Sequence, residues 1–501
     1  MKKNILLITS DQQHWHTLGR NNPHIDTPNL DRLAAQGTTF ERAYCPNPTC
    51  SPTRASILTG KYPSEHGCYS LGTKLPESEE TVGDLLMEAG YRTALIGKAH
   101  LQPLRSTDDY SSLESYPILQ DLDFWRTFDE PFYGFEHVEL TRNHTDEAHV
   151  GQHYALWLEE QGCDNWRDYF RSPTGNNDSQ KHKWLIPEKY HYGTWIAEQT
   201  MKRLTTYKEN DENFFVWASF FDPHPDYLVP EPWDKMYDPS QIDVPQKVAG
   251  EHDNNPPHFQ LTQTVQPDFS AWDEPEGNEI HGFHSHLQDA SELAKDIAVY
   301  YGMISLMDKQ IGLILDQLDT LGLTDNTLVV FTSDHGHLFG QHGLIAKGPF
   351  HYEDLLRVPM IARYPNQIPA DQQSDSLQSL VDFAPTFLRF ANIDVPRTMS
   401  GVDQSAVWQA PDQTVRDHVL VENHHQPTML NLRTYIDNRY KLTVYVGHDY
   451  GELFDLENDP DEIENLWVSR EHESLKQTLL LKMVQADMAR EVAWMPRVAQ
   501  A

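Results

Sequence analysis

Asn4-Ile5-Leu6-Leu7-Ile8-Thr9 runs directly into Ser10-Asp11-Gln12, and the reading of this stretch sets the fold class. Four consecutive large apolar residues between polar ones predict a short strand buried on both faces, as in parallel sheets covered by helices on either side. The residues beyond it read as the covering helix. Thr27 can cap it, Pro28 sits in its first turn, Leu30, Leu33 and Ala34 share one face, and Gly37 ends it.

The same order recurs downstream. Residues 81–90 read as a helix feeding a strand at 93–96, and residues 196–208 as a helix feeding a strand at 214–218. A longer helix, with Ile297, Tyr300, Ile304, Met307, Ile311, Ile314 and Leu318 on one face, feeds a strand at 327–332. Helices alternating with wholly apolar strands predict an α/β fold on a mostly parallel sheet. Residues 102–190 and 228–290 break this alternation, being long, polar and rich in His, Pro, Asp and aromatics, and read as ordered insertions that shape a binding site. Past residue 375 the style changes to a helix near 381–391, short alternating segments such as 439–445, and a closing helix after Leu475. This divides the chain into a catalytic unit, residues 1–375, and a smaller C-terminal subdomain with an antiparallel sheet, residues 376–501.

Composition narrows the function classes. With 501 residues, 39% apolar and 23% charged, the chain can bury a sizeable core and is neither disordered nor fibrous. Asp plus Glu outnumber Lys plus Arg by 75 to 39, a net charge of −36 that opposes nucleic-acid binding. An anionic substrate needs a local cationic pocket. Four cysteines, Cys45, Cys50, Cys68 and Cys163, are too few for a disulfide framework. The apolar run at the N-terminus is shorter than a signal-peptide core, and no run approaches a membrane span. The expectation is a cytoplasmic chain, or a secreted or periplasmic one if a leader has been removed, with no membrane partner.

In open α/β sheets ligands bind beyond the carboxyl ends of the strands. Four strand ends here carry polar groups: Asp11-Gln12, Gly97-Lys98-Ala99-His100, Asp222-Pro223-His224 and Ser333-Asp334-His335-Gly336. Asp11, Gln12, Asp334 and His335 offer mostly oxygen ligands, which suits a hard cation, Ca²⁺ first and Mg²⁺ or Mn²⁺ as alternatives. Asp11 and Asp334 could instead only cap helices. The run from Thr49 to Gly60 reads as a helix with Ser51 as cap and Pro52 in its first turn, so Cys50 lies where the macrodipole stabilises an anion or thiolate. Arg54, one turn on, brings a bidentate donor to the same face. The plain alternative for Cys50 is a small buried apolar residue.

Cys50-Ser51-Pro52-Thr53-Arg54 resembles the C-x-P-x-R signature of the type I sulfatases of the alkaline phosphatase superfamily. Asp11-Gln12 and Ser333-Asp334-His335-Gly336 are similar to that family's two metal pairs, Gly97 to Leu101 to its G-K-x-H-L element, and Arg439 to Leu466 to its C-terminal signature. The resemblance spans nearly the whole chain outside the two insertions. It implies an alkaline-phosphatase-like fold and Cys50 oxidised to formylglycine by a formylglycine-generating enzyme. It also implies one Ca²⁺ held by Asp11, Gln12, Asp334, His335 and the modified Cys50, and hydrolysis of sulfate esters. By motif position, Arg54 and Lys98 orient nucleophile and sulfate, His100 takes a proton during sulfate expulsion, and His224 with Lys347 contact the sulfate and protonate the leaving oxygen.

Gln12 departs from the commoner second aspartate, as it does in related phosphonate monoester hydrolases. That makes a phosphonate monoester or phosphodiester hydrolase the first rival, and a non-catalytic sulfated-glycan-binding protein a second. Arg105, Arg167, Arg171, Lys181, His182 and Lys183 are interspersed with Trp125, Trp157, Trp166, Trp184 and Trp195. This mixture suits sulfated sugar rings, so the expected substrate is a carbohydrate, a glycosaminoglycan such as chondroitin or dermatan sulfate being one candidate. The same tryptophans could equally pack the insertions onto the sheet.

Overall fold

A computed structural model of the chain describes residues 3–142, 145, 147–171, 182–272, 282–425, 428–491, 495 and 497–499. Its centre is an eight-stranded sheet in the order Gln372–Ser374, Thr38–Phe40, Met360–Arg363, Thr327–Ser333, Asn4–Ser10, Phe214–Ser219, Arg92–Gly97, His137–Leu140. The five strands from Thr327–Ser333 to His137–Leu140 are mutually parallel, and Met360–Arg363 runs against them. The edge strand His137–Leu140 comes from the 102–190 segment.

Alternation of side chains explains why the strands read as unbroken apolar runs. Ile5 and Leu7 pack on one face with Leu95, Trp217, Val330, Leu58 and Phe387. Leu6 and Ile8 pack on the other with Ile96, Val216 and Phe331, under the helices Tyr192–Glu209 and Ala290–Thr320. Each such side chain removed from water contributes about 1.5–3 kcal/mol, on both faces at once.

Register then decides where the chemistry lies. Ser10 pairs with Ser333, Thr9 with Ser219, and Gly97 with Ser219, so the chain leaves all four strands at one level. Asp11, Asp334, Lys98 and Asp222 therefore emerge side by side. The expected C-terminal antiparallel sheet is a meander of His418–His425, Leu430–Asp437, Tyr440–Tyr445 and Gly451–Asp455. The helix Glu473–Ala489 covers it through Leu479, Met483 and Ala486. Its first strand is tied to the loop before Cys50: Glu422 N donates to Pro46 O (2.9 Å) and Asn47 Nδ2 to Glu422 O (2.6 Å). Among the described residues no helix is long and apolar enough to cross a membrane.

Candidate active site

Cys50 opens the helix Cys50–Thr59, and the cap is Thr49, not the expected Ser51. Gly60 ends it at φ 64°, in the left-handed region that favours glycine. Thr49 Oγ1 donates to Asn47 Oδ1 (2.5 Å) and Thr53 Oγ1 to Asn47 O (2.6 Å), which fixes the entry to the helix. The Cys50 side chain thus starts the first turn and faces the strand ends. Its Sγ lies 3.2 Å from His335 Nε2, 3.5 Å from Asp11 Oδ1 and 3.5 Å from Lys347 Nζ.

Around it the side chains interlock. Arg54 Nε donates to Asp334 Oδ2 (2.9 Å), and its Nη1 to Lys98 O (2.9 Å) and Ser219 Oγ (2.7 Å). Lys98 Nζ pairs with Asp11 Oδ2. Asp334 Oδ1 accepts the backbone N–H of Gln12 and of His335, each at 3.0 Å. His335 Nδ1 is 2.9 Å from Gly336 O, so the ring carries its proton there and turns Nε2 to the sulfur. Lys347 is buried, and the second insertion backs it: at Gly282, φ 82°, a Cβ would sit 2.9 Å from Lys347 O and 2.8 Å from Gly348 Cα. Gln12 and His100 both adopt positive φ (61° and 55°), a conformation that costs side-chain-bearing residues about 1–3 kcal/mol and recurs at functional sites.

The electrostatics favour an anion at the Cys50 position. Burial alone would raise the thiol, but Lys347, Lys98 and His335 outweigh it and hold Cys50 well below its ordinary range. Burial and Cys50 push Asp11 up, yet Lys98, His224 and Arg54 bring it below the usual carboxylate range. Asp334 is raised by burial, Asp11 and Cys50. His335 would be lowered by burial, but Asp334 and Cys50 raise it, whereas burial, Arg142 and Lys98 hold His100 well below normal and keep it neutral.

The residues present fit a cation. Asp11, Cys50, Asp334 and His335 are buried, and each offers a ligand atom within 4.8 Å of the others. Gln12 Oε1 is buried with no protein hydrogen-bond partner, an acceptor that a bound cation would satisfy. With an oxygen in place of the Cys50 sulfur, as maturation to an aldehyde would give, the donor set is oxygen-rich and suits a hard ion.

Of the sequence-derived site residues, Asp11, Gln12, Cys50, Arg54, Lys98, Asp334, His335 and Lys347 form one bonded network, and His100 joins it through Cys50. His224 sits in the turn after Phe214–Ser219, its N–H on Phe221 O (2.9 Å) and its Nδ1 against Pro225 O, within electrostatic reach of Asp11. Neither Asp11 nor Asp334 is spent on a helix cap.

The expected sugar platform is absent from the residues named for it. Trp125, Trp166, Trp184 and Trp195 are fully buried and Trp157 nearly so, packed in the cores on the two faces of the sheet. An indole buries some 150–250 Å² of largely apolar surface, which favours packing over exposure. Among the cations, Arg167 and Arg171 face Glu147, His182 pairs with Asp296 and Lys183 with Glu231, while Arg105 is exposed and Lys181 lies outside the described residues.

Sequence reasoning places His337, His342 and His351 beside the site region but assigns them no role, and does not single out Arg142 or Glu114. His337 contacts Gln12, His342 stacks on Tyr352 with ring centroids 3.5 Å apart, and His351 Nδ1 lies 2.6 Å from Thr434 Oγ1. Only the nearness of His337 to the Ser333–Gly336 run hinted at its place. Arg142 and Glu114 form a buried pair (3.1 Å) behind His100, Glu114 accepting Leu101 N–H (3.0 Å).

Asp222, one of the polar strand-end residues, also supports the site. Its carbonyl accepts Asp11 N–H (3.1 Å), Tyr192 O–H donates to its Oδ1, and its Oδ2 has no partner. Burial pushes its carboxyl up to about 8, with Tyr192 opposing. A carboxyl raised on folding binds more protons in the folded state between pH about 4 and 8. Its contribution is therefore complete below the unfolded value and is lost as pH rises toward 8. We expect Asp222→Asn, which keeps the acceptor for Tyr192, to gain stability over the parent as pH rises from 5 to 8, by at most about 1.4 kcal/mol per pH unit. Urea melts at both pH values check this, and parallel curves would refute it.

The chain matches the family model described as Sulfatase over residues 3–393, and the one described as N-sulphoglucosamine sulphohydrolase, C-terminal, over residues 340–489. The arylsulfatase of Clostridium perfringens is 29% identical over 489 residues, covering 94% of this chain and 92% of that protein. The N-acetylglucosamine-6-O-sulfatase of Bacteroides thetaiotaomicron is 27% identical over 483 residues, covering 92% and 81%. The crystal structure of a phosphonate monoester hydrolase of Agrobacterium radiobacter superposes with a TM-score of 0.78 at 25% identity, covering 98% of this chain and 96% of that one.

Proposed function

This chain belongs to the sulfatase family of the alkaline phosphatase superfamily and is a sulfuric ester hydrolase, and from that premise we propose that it removes sulfate from a sulfated carbohydrate with Cys50, matured to formylglycine, as nucleophile. The observation that carries this reading is the setting of Cys50, at a helix N-terminus, buried, with His335, Lys347 and Asp11 within 3.5 Å. Lys347, Lys98 and His335 favour negative charge on the atom Cys50 presents and outweigh its burial, which is what a nucleophilic oxygen needs. Cys50 is 1% exposed, so the formylglycine-generating enzyme has to meet it before folding is complete.

Asp11, Gln12, Asp334, His335 and the matured Cys50 would hold the cation, Ca²⁺ by preference and Mg²⁺ or Mn²⁺ as alternatives. Bound there, it would lower the pKa of the attacking hydroxyl and neutralise sulfate oxygens. Arg54 holds Asp334 in place, and with Lys98 orients the aldehyde hydrate and the sulfate. One hydroxyl of the hydrate, ionised before it reacts, attacks sulfur as the S–O bond to the alcohol breaks, and the departing oxygen takes a single proton from His224 or Lys347. His100, kept neutral by its surroundings, takes the proton of the second hydroxyl as sulfate is expelled and the aldehyde restored. Residues 1–375 serve as the catalytic unit, with residues 376–501 bracing the loop before Cys50.

The carbohydrate assignment is supported by the relative named N-acetylglucosamine-6-O-sulfatase, not by the tryptophans. It is tested by free sulfate release from a panel of defined sulfated oligosaccharides, chondroitin and dermatan sulfate fragments included. Release from aryl sulfate but from no sugar would overturn it. Gln12 and the likeness to a phosphonate monoester hydrolase favour a second reading, hydrolysis of phosphonate monoesters or phosphodiesters. Higher kcat/KM on an aryl phosphonate than on the matching aryl sulfate would make that reading the first. A cysteine still present as thiol at position 50 by peptide mass spectrometry, with no turnover, would point to a glycan-binding protein.

A further inference from the structure

A glutamine as metal ligand raises a problem that an aspartate does not. Its amide has one acceptor and one donor end of nearly equal size, and half a turn about the last bond exchanges them. With the oxygen inward it binds a cation; with the nitrogen inward it presents N–H dipoles to positive charge. A carboxylate has two equivalent oxygens and needs no such choice.

We propose that His337 and Tyr227 are positioning residues that lock the Gln12 amide with its oxygen turned to the cation site. Gln12 Nε2 lies 2.6 Å from His337 Nδ1, and His337 Nε2 lies 2.7 Å from Tyr227 Oη. With the Gln12 Nε2 end at Nδ1, that ring nitrogen accepts, the ring proton sits on Nε2, and Nε2–H donates a hydrogen bond to Tyr227 Oη. An acceptor can be satisfied only by the NH₂ end of the amide. The oxygen is therefore sent the other way, and Gln12 Oε1 is buried there with no partner.

The surroundings keep the relay in register. Tyr300 stacks on His337 with centroids 5.6 Å apart, Phe339 packs edge-on against both rings, 4.2 Å from His337 and 4.4 Å from Tyr300, and Tyr300 O–H donates to Gln12 O (2.8 Å). Gln12 N–H donates to Asp334 Oδ1 (3.0 Å), which ties the residue to the other half of the site. Tyr227 arrives from the loop after His224, so a residue outside both metal pairs gives the Nε2–H form of His337 its acceptor and helps hold the amide in this orientation.

This inference rests on the proposed cation site, and the test separates the two. Ca²⁺ binding to the purified full chain, after chelation and dialysis, is measured calorimetrically for the parent, His337→Leu and Tyr227→Phe, and again with Gln12→Asp added to each. Removing an outer-shell partner typically costs 10–100-fold in metal affinity, and His337→Leu is expected to fall in roughly that range. Tyr227→Phe keeps the ring packing, is expected to fold even where His337→Leu does not, and should weaken binding severalfold. In the Gln12→Asp background both losses should shrink to about twofold or less, because the carboxylate has no wrong end. Equal losses in both backgrounds, or none beside Gln12, would overturn the lock while leaving the cation site standing. A parent that binds none of Ca²⁺, Mg²⁺ or Mn²⁺ overturns both.

Discussion

Cys50→Ala is expected to lower sulfate ester turnover by at least about 10⁴-fold, since losing the nucleophile of a covalent mechanism leaves only binding and charge stabilisation. The fold should survive: one small buried side chain is trimmed, at a cost of about 1 kcal/mol. Cys50→Ser is the sharper variant. Its hydroxyl can take the sulfuryl group as the alcohol leaves, but serine has no second hydroxyl on the same carbon to push sulfate off. One equivalent of alcohol per enzyme should appear in a burst, with sulfate retained on the residue 50 peptide by mass spectrometry. Steady turnover by the alanine variant, or many turnovers by the serine variant at the parental rate, would end the proposed mechanism.

Arg54→Met should damage stability and catalysis together. Arg54 and Asp334 are both fully buried, and the guanidinium also satisfies the Lys98 carbonyl and the Ser219 hydroxyl. Removing it leaves Asp334, whose carboxyl burial, Asp11 and Cys50 already push up, without its cation. Breaking a buried pair from one side costs about 3–5 kcal/mol, and losing one preorganised cation or donor costs a rate factor of about 10²–10³. Arg54→Lys keeps the charge but not the planar fork, so it should recover part of the stability and little of the rate. Chemical denaturation and kcat/KM on an aryl sulfate read the two effects. A methionine variant as stable as the parent would show that Asp334 is neutral or held by other groups.

The parallel sheet was legible because burial on both faces leaves unbroken apolar runs at Asn4–Ser10, Phe214–Ser219 and Thr327–Ser333. The polar residues after each run were legible for a related reason: a chain leaving a buried strand can place costly side chains there only where they find partners or ligands. The helix cap misread as Ser51 is an error of two positions in a run where Thr49, Ser51 and Thr53 are all plausible caps. The five tryptophans were ambiguous in kind, because an aromatic residue in a polar insertion reads the same whether it turns to a sugar or to the core. Only packing distinguishes these.

Local pattern, then, was enough for the sheet, the helices over it and the family motif, since apolar periodicity and short signatures act between near neighbours. Convergence was another matter. Lys98 on Asp11, Arg54 on Asp334 and Lys347 beside Cys50 join segments up to 297 positions apart, and the register Ser10 to Ser333 that brings them level is a property of strand pairing. The orientation of the Gln12 amide lies further still from any sequence pattern: it depends on His337 Nδ1 meeting it as an acceptor, with Tyr227 from across the fold on the other ring nitrogen.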